Sequence, residues 1–76
     1  MELKLKLGQP ILKIRAERLR RGWRLLDLAY HANVPLSELS RIETGQAQPY
    51  PAYAQRLAKV LSLSVDELQT EFHVRD

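Results

Sequence analysis

The 76-residue chain contains no cysteine. No disulfide framework can staple it, and no thiolate zinc cluster can form. Its two histidines, His31 and His73, stand apart without ligand spacing, so each is expected to be a surface residue and no metal site is expected. No apolar run approaches the roughly 20 residues that a bilayer-spanning helix needs. No secretory pattern follows Met1. A reducing, cytoplasmic setting without membrane contact is the expectation. Glycine occupies three positions, and they do not form a phosphate-cradling loop. With no cysteine nucleophile and no histidine in an acid–base constellation, an enzyme is the poorest functional class.

What is present suits one small globular domain. Domains start at about 50 residues, and a chain near this size buries only about 60% of the surface its unfolded form exposes. Apolar residues make up 45% and charged residues 28%, an ordinary soluble composition. The net charge of +3 is unevenly placed. Residues 1–24 carry eight Lys or Arg against two Glu, or +6, whereas residues 25–76 carry −3. A basic pole suits a polyanion such as nucleic acid. A solvated, arginine-rich helix face explains the same charges equally well.

Leucine spacing organises the chain. Leu3, Leu5 and Leu7 alternate with Lys4 and Lys6, which predicts a short strand or an extended arm. Pro10 suits the first turn of a helix, with Ile11, Ile14 and Leu19 on its apolar side and Gly22 as its left-handed closing residue. Leu25, Leu28, Ala29 and Ala32 form the stripe of a second helix, and Asn33 tolerates the positive φ of a turn. A third helix opens at Val34-Pro35, buries Leu39 and Ile42, and ends at Gly45. Gln46 to Tyr50 reads as a loop. Pro51 begins a fourth helix that runs to about Ser62, with Ala54, Leu57, Ala58 and Leu61 on one side. Ser64-Val65-Asp66-Glu67 is a capping box. It predicts a fifth helix to about Phe72 that buries Val65 and Leu68. The expected architecture is all-α and five-helical: an arm at 1–9, which could pair with a second copy, a domain at 10–72 and a frayed tail at 73–76. Five short helices leave little volume for a pocket of about 300 Å³ or more, so no cofactor and no small-molecule ligand are expected.

The stretch Leu28-Ala29-Tyr30-His31-Ala32-Asn33-Val34-Pro35-Leu36-Ser37-Glu38-Leu39-Ser40-Arg41-Ile42-Glu43-Thr44-Gly45 places two short helices around a tight turn. It resembles the helix-turn-helix of the phage repressor/Cro family. Ile14-Arg15, Arg18 and Gly22-Trp23 look like that family's first helix. Leu57-Ala58-Lys59, Leu61 and Leu63-Ser64-Val65-Asp66-Glu67-Leu68 look like its last two. The resemblance covers about residues 10–72 and implies a compact, lambda-repressor-like domain.

It also implies double-stranded DNA as partner, with the helix at about 35–44 in the major groove. Leu36, Ser37 and Arg41 would then face base edges. Ser37 and Arg41 share a face at i, i+4, and Arg41 can fork to guanine O6 and N7. Phosphate contacts are expected from Arg24, Gln46, Gln48 and Tyr50, assisted by helix N-termini near Arg24 and Pro35. Surface packing is the competing role for Tyr50 and its neighbour Tyr53. Arg18 and Glu43 match a family pair that ties the first helix to the third, and a structural ion pair is the favoured reading. Trp23 reads as a core plug. Arg15, Arg20 and Arg21 read as solvated.

Two departures keep a second functional class open. Leu25 stands where relatives often carry a phosphate-bonding glutamine, and the 46–50 loop has no cation. With Leu36 and Glu38 on the same presumed face, these features suit a protein-interaction module, or an antitoxin that does both. The leading expectation is a small transcriptional repressor-type regulator, homodimeric on a pseudo-palindrome and controlled by occupancy or a protein partner.

Overall fold

The computed structural model describes residues 11–72. The expected arm at 1–9, the helix start at Pro10, the tail at 73–76 and His73 lie outside the described residues. In chain order the elements are β1 (Ile11–Leu12), α1 (Lys13–Arg20), α2 (Leu25–Ala32), α3 (Leu36–Glu43), α4 (Pro51–Leu61), a single 3-10 turn (Val65–Glu67) and β2 (Glu71–Phe72).

Among the described residues there are four α-helices, not five. The capping box does form: Glu67 N–H donates to Ser64 Oγ at 3.1 Å, and Ser64 N–H donates to Glu67 Oε1 at 2.9 Å. It opens only one turn, and Val65 is exposed rather than buried. The carbonyls that a longer helix would use are engaged elsewhere. Leu68 O accepts from Ile14 N–H at 3.0 Å and Thr70 O from Lys13 N–H at 2.9 Å. These are the first N–H groups of α1, which has no side-chain cap at Leu12. The start of α1 is therefore capped by the far end of the chain.

The same contact explains a second difference. Ile11 and Leu12 do not join the first helix. They pair antiparallel with Phe72 and Glu71. Two residues that local spacing gives to a helix become a ladder because a distant segment offers its backbone.

The remaining boundaries follow local chemistry. Gly22 closes the α1 turn at φ 72°, Asn33 ends α2 at φ 55° and Gly45 follows α3 at φ 79°. Pro51 occupies the first turn of α4, where its missing N–H costs nothing. Ser62 ends α4 in the left-handed region at φ 57°.

Ile14, Leu28, Leu39, Ile42, Leu57, Leu61 and Leu68 are the largest fully buried side chains. Every helix contributes to this one core. Ala29, Ala32, Ala54 and Ala58 are buried with them, and their small side chains let the helices approach closely. Leu25, expected on the ligand-facing side in the protein-binding reading, is half-buried and packs against the core.

Candidate nucleic-acid interface

The turn between α2 and α3 is built from backbone bonds that Asn33 makes available. In its left-handed conformation Asn33 N–H donates to Tyr30 O at 3.3 Å, and Val34 N–H to Ala29 O at 3.0 Å. These bonds use the Ala29 and Tyr30 carbonyls in the manner of a helix-closing motif. Val34 is buried and anchors the turn in the core. Pro35 precedes α3, and its carbonyl accepts from Leu39 N–H at 2.9 Å.

α3 has two distinct sides. Leu39, Ile42 and Glu43 are buried. Leu36, Ser37, Ser40, Arg41 and the following Thr44 are exposed. Their i, i+1, i+4, i+5, i+8 spacing makes one continuous outward stripe. The three residues expected to read bases, Leu36, Ser37 and Arg41, therefore stand together. Among the described residues no ion pair engages Arg41, so its five donors stay available. Sequence reasoning left out Ser40 and Thr44, although the same spacing rule reaches them. Thr44 Oγ1 lies 3.2 Å from both the Ser40 and the Arg41 carbonyl oxygens, and so holds the last turn of α3. Glu38 is half-buried at the edge of the stripe.

Arg18 and Glu43 fix α3 from behind. Arg18 Nε donates to Glu43 Oε2 at 2.6 Å and Nη2 to Oε1 at 3.0 Å, a two-pronged pair. Arg18 Nη1 donates to Trp23 O at 2.8 Å. One guanidinium thus ties α1 to α3 and to the α1–α2 connection. Trp23 is half-buried against the core, and its outer face stacks on the exposed His31 with ring centroids 4.4 Å apart.

The expected phosphate-facing residues are spread over two elements. Arg24 precedes α2 and is exposed. An arginine side chain has no acceptor, so only half of a reciprocal cap forms there: Arg24 N–H donates to Asp27 Oδ2 at 2.7 Å. The Asp27 carboxylate therefore already engages one N–H at the helix start that sequence reasoning left to a phosphate. Gln46, Gln48 and Tyr50 are all exposed on the α3–α4 loop. That loop is fixed at its base. Gln46 N–H donates to Arg41 O at 2.9 Å, and the Gln69 amide donates to Ile42 O at 3.0 Å and Ala47 O at 2.8 Å. Tyr50 lies against Tyr53, with ring centroids 5.6 Å apart.

Two of the three arginines expected to be solvated are paired. Arg20 and Arg21 both converge on Glu17 Oε1, at 2.8 Å and 2.6 Å. The Arg20 hydrogen bond, then the Arg21 one, hold the Glu17 carboxyl below the ordinary range. Arg15 is half-buried rather than solvated. Glu17 thus offsets one of the two positive charges at the end of α1.

Among the described residues no group of three or more His, Cys, Asp or Glu could hold a metal ion, and no helix is long and apolar enough to cross a membrane.

Comparison with known proteins bears on this arrangement directly. No curated protein matches the chain. Among solved structures, the chain is similar to the N-terminal DNA binding domain of SinR from Bacillus subtilis. The two share 33% identity and a TM-score of 0.69 over 82% of this chain and 91% of that one. The family model described as a helix-turn-helix domain matches residues 12–70, from β1 to the residue before β2. The match contains the α2–turn–α3 unit, the Arg18–Glu43 brace and the Gln69 clamp, and the chain belongs to this helix-turn-helix domain family.

Proposed function

We propose that the domain is a transcriptional regulator that binds duplex DNA with α3 in the major groove. The observation that carries the proposal is the outward stripe of α3: five exposed residues, one an arginine without an ion-pair partner among the described residues, on a helix locked to the core by its opposite face. The likeness to a DNA binding domain supports the same reading. Leu36, Ser37 and Arg41 face base edges, with Ser40 and Thr44 beside them. Arg41 forks to a guanine, a contact worth about 1–3 kcal/mol of discrimination. Ser37 accepts or donates, and Leu36 offers apolar contact to a thymine methyl. Arg24, Gln46, Gln48 and Tyr50 meet phosphates. Few of these are cations, so each domain releases few counterions, and a homodimer on a two-fold site doubles the contacts.

Fluorescence anisotropy with a random duplex library, sequenced after selection across roughly 50 to 200 mM salt, tests the proposal. The expected outcome is an enriched two-fold motif with half-sites about 10 base pairs apart or a multiple of that. Arg41→Ala relaxes the preference at one base of each half-site. Arg24→Ala weakens all sequences alike and flattens the salt dependence. No binding at low salt refutes DNA reading and shifts attention to Leu26 and Tyr30, which are 63% and 81% exposed one turn apart on α2 and would suit a protein partner.

A further inference from the structure

Arg56, in the middle of α4, reaches across to the helix-turn-helix. Its Nε donates to Ala32 O at 3.0 Å and its Nη2 to Asn33 O at 2.8 Å. Ala32 is the last residue of α2, and Asn33 is the left-handed residue of the turn. Both carbonyls lie beyond the reach of a helical N–H donor, since α2 stops there. The guanidinium satisfies both at once and places positive charge at the negative end of the α2 dipole. Tyr53, three residues earlier on α4, carries the guanidinium over its ring at 5.2 Å. That contact limits the rotamers available to a long side chain. The fork is therefore pre-set by α4, whose Ala54, Leu57, Ala58 and Leu61 are buried in the core.

We propose that Arg56 is a positioning residue: it clamps the turn through the Ala32 and Asn33 carbonyls and so fixes the angle at which α3 is offered to DNA. The inference rests on the DNA-reading proposal above. Leu36 and Ser37 begin α3 three and four residues beyond Asn33 in sequence, so a pivot of the turn displaces them first. Base-edge recognition tolerates little of this, because a two-pronged contact needs both bonds in line. The backbone bonds of Asn33 and Val34 close α2 but leave the direction of the outgoing chain to be held by other contacts. Val34 supplies one from the core side. Arg56 supplies the second from α4. The clamp also sets Arg56 apart from Arg24 and Arg41. Its Nε and one Nη2 donor are committed to carbonyls, and the role proposed for it is in specificity rather than in phosphate contact.

The test compares the wild type with Arg56→Met, which keeps the stem and removes the donors, and with Arg56→Lys, which keeps the charge but cannot fork. Affinities for the best selected duplex and for a random duplex are measured across salt, at a temperature where circular dichroism finds each protein folded. The expected result for Arg56→Met is a loss of about tenfold in the ratio of best-site to random affinity, or 1.4 kcal/mol, with the slope of log affinity against log salt unchanged. Arg56→Lys recovers only part of the ratio. The amide resonances of Val34, Leu36 and Ser37 move in both variants. An unchanged ratio in Arg56→Met overturns the proposal, because a residue that served stability alone would lower the melting temperature and leave the ratio intact. A uniform loss across sequences with a flatter salt slope also overturns it, since Arg56 would then be a phosphate contact. Should Arg56→Met fail to fold, Arg56→Lys decides by the same ratio. A wild type that binds no duplex overturns the DNA reading itself, and this is seen before any variant is made.

Discussion

Replacing Glu43 with glutamine leaves the Arg18 guanidinium in place but removes its counter-charge. Both groups are nearly out of water, at 9% exposure for Arg18 and 6% for Glu43. The carboxylate accepts two of the guanidinium's bonds, at 2.6 and 3.0 Å, while the third goes to Trp23 O at 2.8 Å. A glutamine of the same size can accept only through its carbonyl oxygen, and its NH2 group points a donor at a donor. Breaking one side of a buried pair costs about 3–5 kcal/mol, because the remaining charge is uncompensated. The lower end suits this site, since the Trp23 carbonyl still accepts one bond. A loss of about 3 kcal/mol corresponds to a fall in melting temperature of about 12–24 °C for a domain of this length. If the wild type has about 5 kcal/mol of stability, the unfolded fraction at room temperature rises from about 0.02% to about 3%. The variant is then still folded for assay, and the change is read by thermal and urea denaturation followed at 222 nm. Arg18→Met combined with Glu43→Leu removes both charges and recovers most of the loss, because the desolvation cost disappears with the attraction. Two results refute the reasoning: a Glu43→Gln melt within 4 °C of wild type, or a double variant less stable than either single one.

Other perturbations test the supporting contacts. Gly22→Ala places a Cβ where no atom lies within 4 Å, yet at φ 72°, so it lowers stability by about 1 kcal/mol through the backbone alone, and an unchanged urea midpoint contradicts this. Gln69→Leu frees the Ile42 and Ala47 carbonyls and costs about 1–2 kcal/mol. Hydrogen exchange of the 45–50 amides should quicken, and protection equal to wild type shows that the clamp does not hold the loop. The Glu17 carboxyl is held below its ordinary 4.5 by Arg20 and Arg21, and the Glu67 carboxyl by the Ser64 backbone N–H. For a lowered carboxyl the stability gain is fully present above the unfolded value and is lost as pH falls through the folded one. Acid titration should therefore show stability declining from about pH 5 downward, less steeply in Glu17→Gln. A Glu17→Gln curve that parallels wild type removes Glu17 from the account.

Features governed by neighbours in sequence were legible. Gly22, Asn33 and Gly45 marked turns because left-handed backbone favours these residues, and all three take positive φ. Pro51 and the Ser64–Glu67 box marked helix starts for equally local reasons. The choice of Leu36, Ser37 and Arg41 came from the resemblance to a helix-turn-helix, with spacing adding only that Ser37 and Arg41 share a face; all three are exposed. What was missed depends on contacts across the chain. Nothing near Ile11 says that Phe72 will pair with it. Nothing near Leu68 says that its carbonyl will cap α1. Arg56 and Gln69 gave no signal in their own neighbourhoods, because the carbonyls they grip lie more than 20 positions away. Asp27 at the start of α2 was overlooked for a simpler reason: the reciprocal half of its cap would have needed an acceptor at Arg24.

The pairing of Ile11–Leu12 with Glu71–Phe72 closes the described chain into a ring. The two ends of the domain leave from neighbouring points, and each end holds the other. Peeling the C-terminal segment away as far back as Leu68 strips Lys13 and Ile14 of their acceptors, Thr70 O and Leu68 O, so loss at one end unravels α1 at the other. An attached segment that tugs on either end would loosen the first helix, and through Arg18 the grip on α3. A ring with its seam at 11 and 72 could also be cut open elsewhere and rejoined across the seam. The loop at Gln46 to Gln48, where the two glutamines are exposed and Ala47 is half-buried, offers such a site, provided the Gln69 bond to Ala47 is kept.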